Sequence, residues 1–193
     1  DYFGMSQLGM IITTPEHTST MNMLAFLKLF AFRVIERSLP KNTFLNEKLR
    51  ESYNRSVMEE VLTVRSLLDE ISSIDSDVAQ NAEQNWARYR PRIIFNKCKM
   101  PDELDILPAL ENTLDQNLLL RCDFFGCLFS DPAVSITFQQ RKTLKTAGPN
   151  SEILEDINLL ADRINRLWKQ PIANSANLLQ NNAVKLFEKR HVD

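Results

Sequence analysis

Glycine is scarce in this chain, four residues in 193, and none stands in a G-x-G or G-K-[ST] cluster. That excludes a Gly-rich loop of the kind whose backbone N–H groups cradle phosphates. Cysteine is scarce too. Cys98, Cys122 and Cys127 are an odd count without paired spacing, which argues against a disulfide framework and fits a reducing cytoplasm. A zinc site wants four clustered ligands, and His17 and His191 lie far from the cysteines in sequence. Excess charge of one sign is missing as well. The 23 Lys and Arg against 25 Asp and Glu leave a net charge of −2, with no electrostatic footprint for nucleic acid. No signal-peptide pattern is found. The one strongly apolar stretch, residues 21–35, carries Lys28 and Arg33 and falls short of the roughly 20 apolar residues of a bilayer span. It reads as a buried helix.

The apolar share of 44% and charged share of 25% are ordinary for a globular protein, and the length suits one domain with a real core. The chain opens at Asp1 and runs almost at once into a core strand, so it reads as a fragment of a larger domain. The most informative stretch follows. A short apolar run ends in Thr13-Thr14-Pro15-Glu16, and a Thr/Ser cluster then opens a helix. This predicts a strand over 10–13, a loop over 14–19 and a helix over 20–38 stopped by Pro40. Apolar residues in steps of three and four predict one long helix over 44–74, broken by the Ser72-Ser73 and Asp75-Ser76-Asp77 clusters. Val78, Ala82, Trp86 and Tyr89 give a further short helical face.

Two more strands are expected, over 92–96 and 122–129, with a helix carrying Leu107, Leu110, Leu114 and Leu118 between them. A short helix follows Ser130-Asp131-Pro132, and residues 143–150 are a loop. Ser151 caps an amphipathic helix with Ile153, Leu154, Ile157, Leu160, Ala161, Ile164 and Leu167 on one side. Short apolar strands separated by helices make an α/β fold with a parallel sheet and flanking helices. Ligand sites in such sheets lie past the carboxyl ends of the strands.

The order of these motifs resembles the C-terminal half of the MinD/ParA ATPases, P-loop proteins with a deviant Walker motif. Within them it is most similar to the MinD-like flagellar-number regulators of the FlhG type. The resemblance implies a partial P-loop NTPase fold. Residues 1–170 would be the C-terminal half of the ATPase domain, with a helical insertion over 40–90, and residues 171–193 a tail helix. It implies a nucleotide-binding wall of Asn96, Lys97, Phe129, Ser130, Asp131 and Pro132, with the Asn96 amide donating to and accepting from adenine. It places Thr14, Pro15 and Glu16 at the sheet edge and dimer surface. Lys97 stands where the family usually has Arg, Phe129 replaces a usual Pro, and Thr143 stands where a Pro commonly follows a basic residue.

The implied cofactors are ATP and Mg2+ in the full-length protein. The family's phosphate loop and Walker B Asp lie upstream of the part matched here, so this chain alone is expected to hold neither tightly and to hydrolyse nothing. The implied function is a nucleotide-dependent homodimerisation switch in spatial organisation, such as flagellar placement or number. Its partners would be proteins of a positioning or flagellar system, in the cytoplasm and reversibly at the inner face of the plasma membrane. The tail carries Leu178, Leu179, Ala183, Leu186 and Phe187 at helical spacing. MinD-like proteins have a membrane-targeting helix at this position, and Leu179, Leu186 and Phe187 would be its membrane contacts. A docked terminal helix is the other reading.

Without the resemblance, residues 14–19 are a strand exit and helix cap. Asn96 is then a turn residue, Asp131 a helix start and His17 a solvated loop histidine. Glu59-Glu60 and Asp69-Glu70 are a wet helix face, and Trp86 and Trp168 core anchors. The rival function is a non-catalytic protein-interaction module with the helical insertion as its partner surface.

Overall fold

The computed structural model describes residues 2–40, 44–51 and 63–191. The strands are β1 (Met10–Thr13), β2 (Arg92–Cys98) and β3 (Asp123–Phe129). The helices are α1 (His17–Ser38), α2 (Val64–Ser72), α3 (Ser76–Ala87), α4 (Leu107–Leu118), α5 (Pro132–Gln139), α6 (Leu144–Ala147), α7 (Glu152–Leu167) and α8 (Ser175–His191). Residues 44–51 are helical as well. The chain divides into two compact units.

The sheet unit comprises Met10–Thr20, Arg92–Pro108 and Asp123–Asp193. Its strands are parallel in the order β1-β2-β3, with Ile11 opposite Ile93 and Ile12 opposite Ile94. The protein is therefore α/β. Strands β2 and β3 are nearly continuous apolar runs, as strands buried on both faces must be; Ile93, Ile94, Phe95, Phe124 and Phe125 are fully buried. Strand β1 is an edge. Among the described residues nothing pairs with its outer side, and Ile12 is 62% exposed.

Strand β3 is the other edge, and side chains cap it. Phe124 N donates to Ser175 Oγ at 3.0 Å and Phe129 N to Asp156 Oδ2 at 2.9 Å. These bonds come from the start of α8 and from α7, which pack on β3. At the opposite ends of the strands, buried Arg92 and Asp123 pair across the register. Arg92 Nη2 also donates to the Trp168 and Gln170 carbonyls, and Asp123 Oδ1 accepts from Ile172 N at 3.0 Å. Two charges survive burial here because each is paired and further bonded.

The helical unit comprises Asp1–Gly9, Met21–Pro91 and Ala109–Cys122. Leu27, Ala31, Ile35, Leu45, Leu49, Leu67, Ala82 and Trp86 form its core. Phe30 contacts the rings of Phe3, Phe26, Trp86 and Tyr89, and Trp86 Nε1 donates to the Leu118 carbonyl at 2.6 Å. At Gly9 a Cβ would lie 2.5 Å from the Phe3 ring, so any larger residue must displace that ring. Helix α1 has 22 residues and is, by length and composition, long and apolar enough to cross a membrane. In this fold its Leu27, Ala31 and Ile35 are fully buried.

Several elements differ from expectation. The single helix over 44–74 does not form. Thr63 has extended backbone, its hydroxyl accepts from Ser66 N, and the Ser66 hydroxyl accepts from Thr63 N. This capping box starts a new helix although the apolar spacing runs on through it. Residues 52–62, including Glu59 and Glu60, lie outside the described residues. The expected break after Ser72 is present, with Asp75 Oδ1 accepting from Asp77 N and Val78 N. Helix α1 begins at His17, three residues before Thr20, β2 continues to Cys98, and the 143–150 loop contains the turn α6. Ser151 does not cap α7 through its side chain; its hydroxyl donates to the Gly148 carbonyl.

Candidate functional site

In a parallel sheet all strands end at one edge, and there the chain leaves β1 at Thr13, β2 at Cys98 and β3 at Phe129. Strand β2 reaches that edge through a bulge. Phe95 is opposite Cys127 and Cys98 opposite Phe129, so Asn96 and Lys97 together face the single residue Leu128. Lys97 sits at φ 59°, a left-handed backbone that costs a Lys roughly 1 kcal/mol or more. The Asn96 side chain supports it, Oδ1 accepting from Lys97 N at 2.9 Å. Bulges re-aim side chains at sheet ends. Here the result is a half-buried Asn96 whose Nδ2 bonds no group among the described residues. Ser130 N donates to the Cys98 carbonyl at 2.7 Å and ties the two loops together. Lys97 is exposed.

Beyond β1, Thr14 and Pro15 are half-buried and Glu16 is exposed. The hydroxyls of Thr14 and Thr20 are buried and bond nothing among the described residues. A buried hydroxyl left unpaired costs about 1–3 kcal/mol, so this end of the sheet carries unsatisfied polar capacity. Thr20 was not among the expected site residues; its place in a Thr/Ser cluster at a helix start was the available signal.

The β3 end separates residues expected to work together. Ser130 and Pro132 are exposed beside an open polar cavity of about 610 Å³ that also touches Asn150, Glu152 and His191. Asp131 is structural. Its Oδ1 accepts from Ala133 N at 2.7 Å and caps α5, and its Oδ2 accepts from Ile153 N at 3.2 Å in the first turn of α7. Phe129 is buried away from any open wall, its ring centroid 5.7 Å from that of Phe187 and the Arg190 guanidinium 6.0 Å over its face. Of the six residues expected together, Lys97, Ser130 and Pro132 are exposed and Asn96 half-buried, while Phe129 is buried and Asp131 bonds two helix starts.

Helix α8 is docked in this unit. Leu179 is 2% exposed, and Leu186 and Phe187 are half-buried. Arg190 Nη2 donates to Asp156 Oδ1 at 2.7 Å and Glu155 Oε2 at 3.1 Å. Burial opposes the Arg190 charge, but the bonds to Asp156 and Glu155 outweigh it and raise its pKa. Asp156 is the residue that also holds Phe129 N. The signal for it was an acid inside the apolar stripe of α7; its partner, 34 residues away, had none.

Burial pushes the Cys98 and Cys127 thiols up to about 12, which disfavours the nucleophilic thiolate near neutral pH. Among the described residues no group of three His, Cys, Asp or Glu side chains could hold a metal ion. No protein-family model, curated protein or solved structure matches the chain.

Proposed function

We propose that this chain forms the adenine side of a MinD/ParA-type ATPase of the FlhG kind, a nucleotide-dependent homodimerisation switch in spatial organisation such as flagellar placement or number. The observation that carries this reading is the bulged end of β2. It presents a half-buried Asn96 amide, its Nδ2 unused among the described residues, beside the loop at Ser130–Pro132, at the carboxyl edge of a parallel sheet. An amide can donate to and accept from the edge of adenine at once, and Oδ1 keeps a second lone pair after its bond to Lys97 N. Ser130 and Pro132 would flank the base, and Thr14, Pro15 and Glu16 would belong to the dimer surface.

The open side of β1 also supports the reading. Further strands pairing there would cover Ile12, and a phosphate loop on them would bring ATP phosphates and Mg2+ to the Thr14 end of the sheet. The chain's own residues supply no phosphate cradle. Their part is to bind and orient the base. The switch would work in the cytoplasm with protein partners of a positioning system. Contact with the inner face of the plasma membrane through Leu179, Leu186 and Phe187 would require α8 to leave β3.

The test is calorimetric titration of ATP and ADP into this chain and into the protein extended upstream of Asp1. Binding by the extended form is expected, with Asn96→Ala weakening it about ten-fold, or 1.4 kcal/mol. Unchanged affinity in that variant refutes the base site. Absence of binding by the extended protein favours the rival, an interaction module working through residues 40–90, where Phe44 and Ile74 are exposed.

A further inference from the structure

A second cavity in this unit lies between α7 and α8. It measures about 620 Å³, within the usual range for small-molecule sites. Strand β3 forms its floor at Phe125, Gly126 and Cys127, and leucines of both helices form its walls. The floor is close-built: a Cβ on Gly126 would come within 2.8 Å of Leu160 Cδ1. The polar residues around it are unevenly neutralised. Asp156 is paired with Arg190, and Lys189 with Glu155 at 3.0 Å. Arg163, Arg166 and Lys185 also line the cavity, and among the described residues none of the three pairs with a carboxylate.

Arg163 is the decisive member. It is half-buried, with its guanidinium 5.6 Å over the face of Phe125. Its Nε is buried and bonds nothing among the described residues. Burial lowers its pKa, and no neighbouring carboxylate restores it. Buried donors in proteins are ordinarily bonded. A guanidinium fork left open in this way matches a carboxylate, while the leucine walls and the Phe125 ring suit an apolar body.

We propose that the α7–α8 groove is a binding site for a single acyl carboxylate, the head group on Arg163 with Lys185 beside it and the chain along the leucines. This goes beyond the nucleotide reading and does not depend on it. The probe is decanoate, titrated calorimetrically below its micelle concentration, with decyltrimethylammonium as the same chain bearing the opposite charge. Leucine methyl NMR reports the place. Saturable binding of decanoate that shifts Leu160 and Leu179, with the cationic chain not competing, is the expected result. Arg163→Gln should weaken it about ten-fold. Lys185→Glu, at an exposed position outside the packing, should weaken it too and keeps the test open if Arg163→Gln unfolds. Equal binding of the cationic chain, undiminished binding by both variants, or no binding of decanoate by the wild type overturns the proposal.

Discussion

Replacing Arg190 with Met keeps an apolar stem and removes the guanidinium that pins α8 to α7. The Asp156 side chain is 0% exposed and that of Arg190 6%, so the substitution strands a carboxylate in the interior. Its remaining bond is the one from Phe129 N to Oδ2. Removing one partner of a buried pair costs about 3–5 kcal/mol, and the retained N–H bond places Arg190→Met near the lower figure, about 3 kcal/mol. Glu155 and Glu152 are half-exposed or more, and their pairing adds little in water. For a chain of this length each kcal/mol lowers the melting temperature by about 2–4 °C, so a fall of roughly 6–12 °C is expected. Thermal and urea melts followed by circular dichroism measure it, and hydrogen exchange should show the α8 amides opening first. Asp156→Asn combined with Arg190→Met removes the stranded charge yet keeps an acceptor for Phe129 N, so the pair should regain part of the loss. A melting temperature for Arg190→Met within about 1 °C of wild type, together with unchanged α8 exchange, would mean that packing alone holds the helix.

Two further outcomes follow from the charges around the same helix. The Glu155 carboxyl is held below its ordinary pKa by its hydrogen bond from Lys189 and then by that from Arg190; a depressed folded pKa gives stability that is present above the ordinary glutamate value and lost as pH falls through the folded one. Acidification across that window should loosen α8, read by hydrogen exchange, and Glu155→Gln should remove that component; an identical pH profile in the variant refutes it. Cys98, which is buried and has its thiol pKa raised to about 12 chiefly by that burial, should resist an aromatic disulfide reagent at pH 8 in the native protein and react in urea, and rapid native labelling of it contradicts its burial.

How far the sequence reached is clearest element by element. Strand β1 was legible to the residue because an apolar run and its Thr-Thr-Pro-Glu stop are both local. The Ile/Phe-rich runs of β2 and β3, the break between Ser72 and Asp75 and the tail helix were legible for the same reason. The long helix over 44–74 was misread because apolar spacing continues past Thr63, where a capping box decides otherwise. Nothing local marked the bulge at Asn96 and Lys97, since a bulge exists only relative to the register of a partner strand. Asp131 and Phe129 looked like members of one loop. Whether each faces ligand, helix start or helix flank depends on where α7 and α8 dock.

Composition, breakers and hydrophobic period thus determined by themselves that this is an α/β protein with parallel strands, because those signals act between residues a few positions apart. Only the tertiary structure decided which polar side chains are spent on one another. It spent Asp131 on two helix starts, turned Phe129 under α8, joined Asp156 to Arg190 and left Arg163 without a counter-ion among the described residues. Each of these outcomes depends on charges and donors distant in sequence being brought out of water together, where a buried polar group must find a partner or remain costly.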